Sequence, residues 1–275
     1  MAYDDQPGSN AFRYRIVRNL NGQGIGAVSD FFVDVPGLGH SGEGAGAALT
    51  DLDDDPRPDL ILMAYDAPDG ANSFRYVVAQ NLDANGSPTQ VSALMEVPGV
   101  GHLGDGAGLA VGQLDNDSRP DAIFMAYDAP SGANEFRFKV ALNLDGRGMA
   151  DRIGDSIVVP GTGNEGDGAG IALAQLDGDP RPDLILLSYD APDWANEFRY
   201  RVALNLDQTG RPARVAGPFV VPGVGHDGDG AGMAVFQTNA AGNPTFILMA
   251  YDALNGRTEF RYRAFEVTAS STPLR

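Results

Sequence analysis

Cysteine is absent from the 275 residues, which excludes disulfides, thiolate metal sites and a cysteine nucleophile. Basic residues are scarce, with 19 Lys and Arg against 37 Asp and Glu and a formal charge of -18. Attraction to phosphate backbones or anionic lipid needs clustered cations, so nucleic acid is a poor partner. No apolar run approaches the ~20 residues that cross a bilayer, and no segment has a convincing helical period, so membrane insertion is not expected. Residues 1–5 lack both a basic and an apolar stretch, so no signal peptide is read there, and secretion or cell-surface display stays open.

Turn formers are abundant, with 36 glycines and 18 prolines beside 43% apolar residues, a composition of many short strands rather than of disorder. The chain repeats itself every 62 residues without insertion or deletion. The tyrosine of an (Ala/Ser)-Tyr-Asp motif falls at Tyr3, Tyr65, Tyr127, Tyr189 and Tyr251, and a Phe-Arg-aromatic motif starts at Phe12, Phe74, Phe136, Phe198 and Phe260. A Val-Pro-Gly and Gly-rich block, whose Gly-Ala-Gly ends at Gly46, Gly108, Gly170 and Gly232, occurs only four times. The units run 1–42 (partial), 43–104, 105–166, 167–228 and 229–275 (partial), all in one repeat domain.

Residues 43–98 predict four strands: Gly44–Leu52, small and apolar; Asp59–Asp66, a continuous apolar run of the kind buried on both faces; Phe74–Leu82; and Val91–Val97. Four short strands per long repeat indicate an all-β β-propeller with the Gly/Ala strand innermost. Five blades, the first and last incomplete, is the first reading. The alternative is four blades, with residues 31–35 closing the ring against the last blade.

The loop between the first two strands reads Asp51-Leu52-Asp53-Asp54-Asp55-Pro56-Arg57-Pro58-Asp59. Side-chain oxygens at positions one, three, five and nine suit a hard cation, and calcium is the one cofactor suggested. With its preceding Gly-Glu-Gly-Ala-Gly and following Ala-Tyr-Asp-Ala-Pro, this stretch resembles the FG-GAP/VCBS repeat of integrin-type and bacterial surface propellers. The resemblance implies calcium between the two inner strands, held by Asp51, Asp53, Asp55 and Asp59. In the next copies the implied ligands are Asp115, Asp117 and Asp121, then Asp177, Asp179 and Asp183, with Gln113 and Gln175 at position one. The fourth loop, from Gln237 to Thr245, has no carboxylate. Position six holds Pro56, Ser118 and Pro180 where the family turns on glycine. A competing reading has the aspartates accept loop amides as Asx-turns without metal.

Two further sets recur. The Gly-rich loop carries His40, His102 and His226, followed by Glu43, Asp105, Asp167 and Asp229. The hairpin carries Tyr65, Asp66 and Arg75; Tyr127, Asp128 and Arg137; and Tyr189, Asp190 and Arg199. Aromatic, acidic and guanidinium groups are those that grip sugars, though Asp and Arg on adjacent strands also pair across a hairpin. Histidines spread one per unit do not converge on one ion. A nucleophile needs a base and an orienting group in one asymmetric constellation, whereas everything polar here is copied around a ring, so catalysis is not expected. The expectation is a multivalent recognition module for a glycan or cell-surface protein, lectin-like, with oligomerisation left open. A structural or protein-interaction propeller is the alternative.

Overall fold

The computed structural model describes residues 1–4, 11–19, 26–38, 44–66, 71–101, 104, 106–128, 132–163, 166, 168–190, 195–225, 230–237, 244–252 and 259–266. Every regular element among them is a β-strand. The N-terminal sheet is ordered β1 (Ala2–Asp4), β2 (Ala11–Tyr14), β5 (Val33–Pro36), with a ribbon of β3 (Val17–Arg18) and β4 (Ala27–Val28) beside it. The next sheet holds β6 (Gly44–Thr50), β7 (Asp59–Asp66), β8 (Ser73–Gln80), β9 (Gln90–Val91) and β10 (Met95–Pro98). Its successor holds β11 (Gly106–Gly112), β12 (Asp121–Asp128), β13 (Glu135–Leu144), β14 (Ala150–Ile153) and β15 (Ile157–Pro160). Then come β16 (Ala169–Ala174), β17 (Asp183–Asp190), β18 (Glu197–Leu206) and β19 (Pro212–Pro222), and finally β20 (Gly230–Gln237), β21 (Pro244–Asp252) and β22 (Glu259–Glu266).

The architecture is a β-propeller, and its blade count departs from the first reading. Four sheets carry an inner strand, namely β6, β11, β16 and β20, and these surround an axial channel of about 220 Å³. The N-terminal sheet has no such strand and gives the channel only Met1. Four blades, the alternative reading, is therefore the supported count. The closure imagined for it is not seen, because β5 pairs with β2, Phe12 facing Val35, rather than with the last blade. Burial of its α-amino group lowers the pKa of Met1 to about 6.

Neighbouring inner strands touch backbone to backbone, which explains their Gly-x-Gly pattern. A Cβ on Gly44 would lie 2.4 Å from the Ala107 nitrogen, and one on Gly106 2.5 Å from the Ala169 nitrogen. Outside them, β7, β12 and β17 are buried at all eight positions, since both faces of each blade are covered. One apolar cluster fills each interface between consecutive sheets. Phe12, Tyr14 and Val35 pack on Leu60, Leu62 and Ala64 of the next sheet, and Ile61, Met63 and Tyr65 pack on Leu109 and Phe124 of the sheet after it. The apolar run of each blade thus alternates between two neighbours. Tyr14 and Tyr76 complete the packing by donating hydroxyl hydrogen bonds to the carbonyls of Gly86 (2.7 Å) and Gly148 (2.9 Å) on the following sheet.

Candidate functional site

The acidic loops join the two inner strands of each blade, as the spacing indicates. Their ninth residue is structural. Asp59, Asp121 and Asp183 are fully buried, and each accepts two backbone N–H groups, one from the loop and one from the end of the third strand. Asp121 accepts Leu114 N at 2.7 Å and Asn143 N at 2.8 Å, and Asp183 repeats this with Leu176 and Asn205. Burial pushes the carboxyl pKa of Asp121 and of Asp183 up, against the pull of those amides. Within the loops, the Asx-turn reading matches the geometry. Asp55, Asp117 and Asp179 accept the amides of Arg57, Arg119 and Arg181 at 2.7–2.8 Å. Asp55 also pairs with the Arg57 guanidinium at 3.0 Å and is not among the carboxylates that converge in loop one.

Position one separates the copies. In loop two the Gln113 amide nitrogen donates to the Asp117 carbonyl (2.5 Å) and the Arg119 carbonyl (3.0 Å), while its oxygen accepts Asp115 N. Gln175 makes the same bonds in loop three, to the carbonyls of Asp179 and Arg181 and from Asp177 N. A neutral donor thus occupies the carbonyl-lined space that a cation would need. Among the described residues, the sets Asp115, Asp117, Asp121 and Asp177, Asp179, Asp183 do not bring three carboxylate oxygens within 4.8 Å of one another. Loop one lacks the glutamine, and there Asp51, Asp53 and Asp59 place oxygens within 4.8 Å of one another, the one such carboxylate trio among the described residues. Those three fit a hard cation, and Asp55 does not join them.

The hairpin set is not a sugar-gripping surface. Tyr65, Tyr127 and Tyr189 are 0% exposed and lie against Phe74, Phe136 and Phe198 with ring centroids 4.6 Å apart. The reason is register: strand alternation turns the tyrosine into the interface that the next blade covers. Asp66, Asp128 and Asp190 are buried too, and the first two cap their hairpin turns by accepting Ala71 N and Ala133 N at 2.9 Å. Arg75, Arg137 and Arg199 reach backward along the ring to the preceding Val-Pro-Gly block, donating to the carbonyls of Leu38, Val100 and Thr162 at 3.1–3.4 Å. Each also holds a carboxylate, Glu96, Glu135 and Glu197 respectively. None of these nine residues is left presenting a free aromatic face or a free acid to solvent.

His40, His102, His226, Glu43, Asp105, Asp167 and Asp229 lie outside the described residues. The base of the second, third and fourth of these loops is described and is built alike. An asparagine in the hairpin of the same sheet, Asn72, Asn134 or Asn196, has φ near +50° and receives the block twice. Its carbonyl accepts the Gly99, Gly161 or Gly223 amide at 2.7–2.8 Å, and its side chain accepts Gly101, Gly163 or Gly225 N at 3.1–3.2 Å. Sequence reasoning missed this asparagine, although its 62-residue recurrence before Phe-Arg was visible. Asparagine clamp and arginine latch together fix where the second, third and fourth His/acid loops leave their sheets.

No protein-family model matches the chain, and no curated protein matches it. Solved structures of similar shape include the Aleuria aurantia lectin in complex with Fucalpha1-6GlcNAc, at 11% identity over 97% of this chain and 77% of that one, with a TM-score of 0.49. A second structure of the fucose-specific lectin from Aleuria aurantia matches at 13% identity, 96% and 76% coverage, and a TM-score of 0.45. An exo-beta-1,3-galactanase from Phanerochaete chrysosporium with beta-1,3-galactotriose matches at 11% identity, 82% and 46% coverage, and a TM-score of 0.43. Likeness this distant carries no argument about what the chain binds.

Proposed function

We propose that the chain is a non-enzymatic, multivalent recognition module that binds carbohydrate through its His/acid loops. One observation supports the reading: the arginine latch at the base of each loop, joined by the asparagine clamp at the second, third and fourth. Arg75, Arg137, Arg199 and Arg261 hold the same carbonyl positions in successive Val-Pro-Gly blocks, so the four recurring loops start from equivalent points. Sites repeated at fixed spacing engage a glycan surface together, and weak individual affinities then multiply. The relation to FG-GAP/VCBS propellers is part of the same proposal, as is a single calcium held by Asp51, Asp53 and Asp59. Calcium there would tie the inner hairpin of the first complete blade, and loops two and three take none.

Glycan-array binding with haemagglutination tests the reading. Agglutination that His102→Ala or Asp105→Ala weakens, without change in melting temperature, is the expected result. Absence of binding to every glycan tested would refute it.

A further inference from the structure

A cavity of about 300 Å³ opens between the sheet of β11–β15 and the sheet of β16–β19. Its floor is apolar and buried, made by Val140 and Leu142 of β13 and Ile157 of β15. Its rim carries Arg152 of β14 and Asp155 just after it, facing Thr209 and Arg211 of the turn between β18 and β19. Two arginines therefore share one small cavity with a single lining aspartate, in a chain whose formal charge is -18.

The 62-residue repeat shows what bridges the same place in the two preceding interfaces. Leu142 stands at the position held there by Arg18 and Gln80, each of which reaches the turn of the following sheet. The Arg18 guanidinium donates to Asn85 Oδ1 at 3.1 Å, and the Gln80 amide donates to the Gly146 carbonyl at 2.7 Å. Leucine has no donor, so this bridge is lost in the third interface. The change does not come alone. Arg152 replaces Val28 and Gln90, and Arg211 replaces Ser87 and Met149, so two cations enter where the other interfaces are neutral. Among the described residues neither guanidinium has a hydrogen-bond or ion-pair partner. Asp151, beside Arg152 in sequence, is committed to Arg119 at 2.6 Å. Asp207 attracts Arg211, but one of its oxygens already holds the turn, accepting Thr209 N at 2.8 Å, the Thr209 hydroxyl at 2.7 Å and Arg211 N at 3.0 Å.

We propose that this cavity binds a uronic acid, with the carboxylate on Arg152 and Arg211 and the sugar ring against the apolar floor. Two guanidinium groups offer the N–H forks that match a planar carboxylate. Val140, Leu142 and Ile157 offer an apolar face to ring C–H groups. Ionised Asp155 is an acceptor only, and the Thr209 hydroxyl gives its proton to Asp207, so both take donors from ring hydroxyls. The volume lies at the lower end of small-molecule sites, which suits one sugar residue.

Calorimetric titration of the full chain with D-glucuronate, D-glucose and inorganic sulfate at low ionic strength tests the proposal. Glucuronate saturates at millimolar concentration, and glucose, without the charge, and sulfate, without the ring, each bind about tenfold more weakly or worse. Arg152→Gln and Arg211→Met install the residues of the preceding interface, and each weakens glucuronate about tenfold without lowering the melting temperature. No saturation by glucuronate, or equal affinity for glucose, overturns the proposal. Equal affinity for sulfate does so as well, because the site would then read charge alone. A folded double variant, Arg152→Gln with Arg211→Met, that keeps the parent affinity also overturns it. The cavity lies apart from the His/acid loops, and His102→Ala leaves glucuronate binding unchanged, so either proposal can fail without the other.

Discussion

Replacing Asp51 by glutamine makes loop one resemble loops two and three, and the stability consequence should change sign with calcium. Asp51 sits in a trio of carboxylates within 4.8 Å, so neutralising it removes two repulsive pairs. At that separation each pair costs about 1 kcal/mol in a water-like dielectric, less in salt. The new amide can make the bonds that Gln113 makes, to the carbonyls of positions five and seven and from the amide of position three. Each is worth about 0.5–1.5 kcal/mol net, against roughly 1.5–2 kcal/mol for ordering a glutamine side chain. The balance is a gain on the order of 1–3 kcal/mol for Asp51→Gln in EDTA, or about 2–4 °C per kcal/mol for a large domain. In calcium at about a thousand times its Kd the parent chain gains about 4.1 kcal/mol and the variant gains nothing, so the two melting curves exchange order. Thermal denaturation followed by circular dichroism, with EDTA and with excess calcium, measures both. A variant less stable than the parent in EDTA would refute the reading of the glutamine as an internal replacement for the ion. Equal calcium shifts in both chains would refute the assignment of the ion to Asp51.

Other consequences are simpler to state. Asp121→Ala orphans two buried amides, each costing about 1–3 kcal/mol, so urea denaturation should show a loss of about 3–5 kcal/mol; a loss within experimental error would remove Asp121 from its structural role. Because burial raises the pKa of Asp121 and Asp183, the native state holds their protons more tightly than the unfolded chain does. Their contribution is therefore fully present below the ordinary carboxylate pKa and is lost as pH rises through the raised one; the double variant Asp121→Asn with Asp183→Asn should flatten that part of the stability profile. Gly44→Ala should cost about 1–3 kcal/mol through its 2.4 Å approach to Ala107, whereas Gly230→Ala, its counterpart on the last blade with nothing within 4 Å, should fall within about 0.5 kcal/mol of neutral.

The repeat was legible because each unit solves the same packing problem with the same residues. Periodicity in Tyr65, Phe74 and Gly46 located the buried strand, its partner and the inner strand, whose bounds moved by at most two residues, whereas the expected fourth strand Val91–Val97 is broken into Gln90–Val91 and Met95–Pro98. Blade number was not legible. Counting hairpins weights Tyr3 and Phe12 equally with their later copies, whereas a blade is defined by its inner strand, and residues 1–4 supply none. The site reading suffered from a related ambiguity. A recurring Tyr-Asp/Arg set has one sequence signature whether it faces solvent or a neighbouring sheet, and only the register between blades turns Tyr65 inward.

That ambiguity can be reduced by attending to which residues change together rather than which stay. Gln113 and Gln175 depart from the acidic pattern at the position where an amide can replace an ion, while Asp51 keeps it. Glu135 and Glu197 appear where Val158 and Val220 replace the acids of the first two sheets. In each case the substitution is read by a partner some residues away, and the pairing is a statement about local charge that identical copies could not have made. Glu259 continues the second pattern into the last blade, where no outer residue answers it among the described strands.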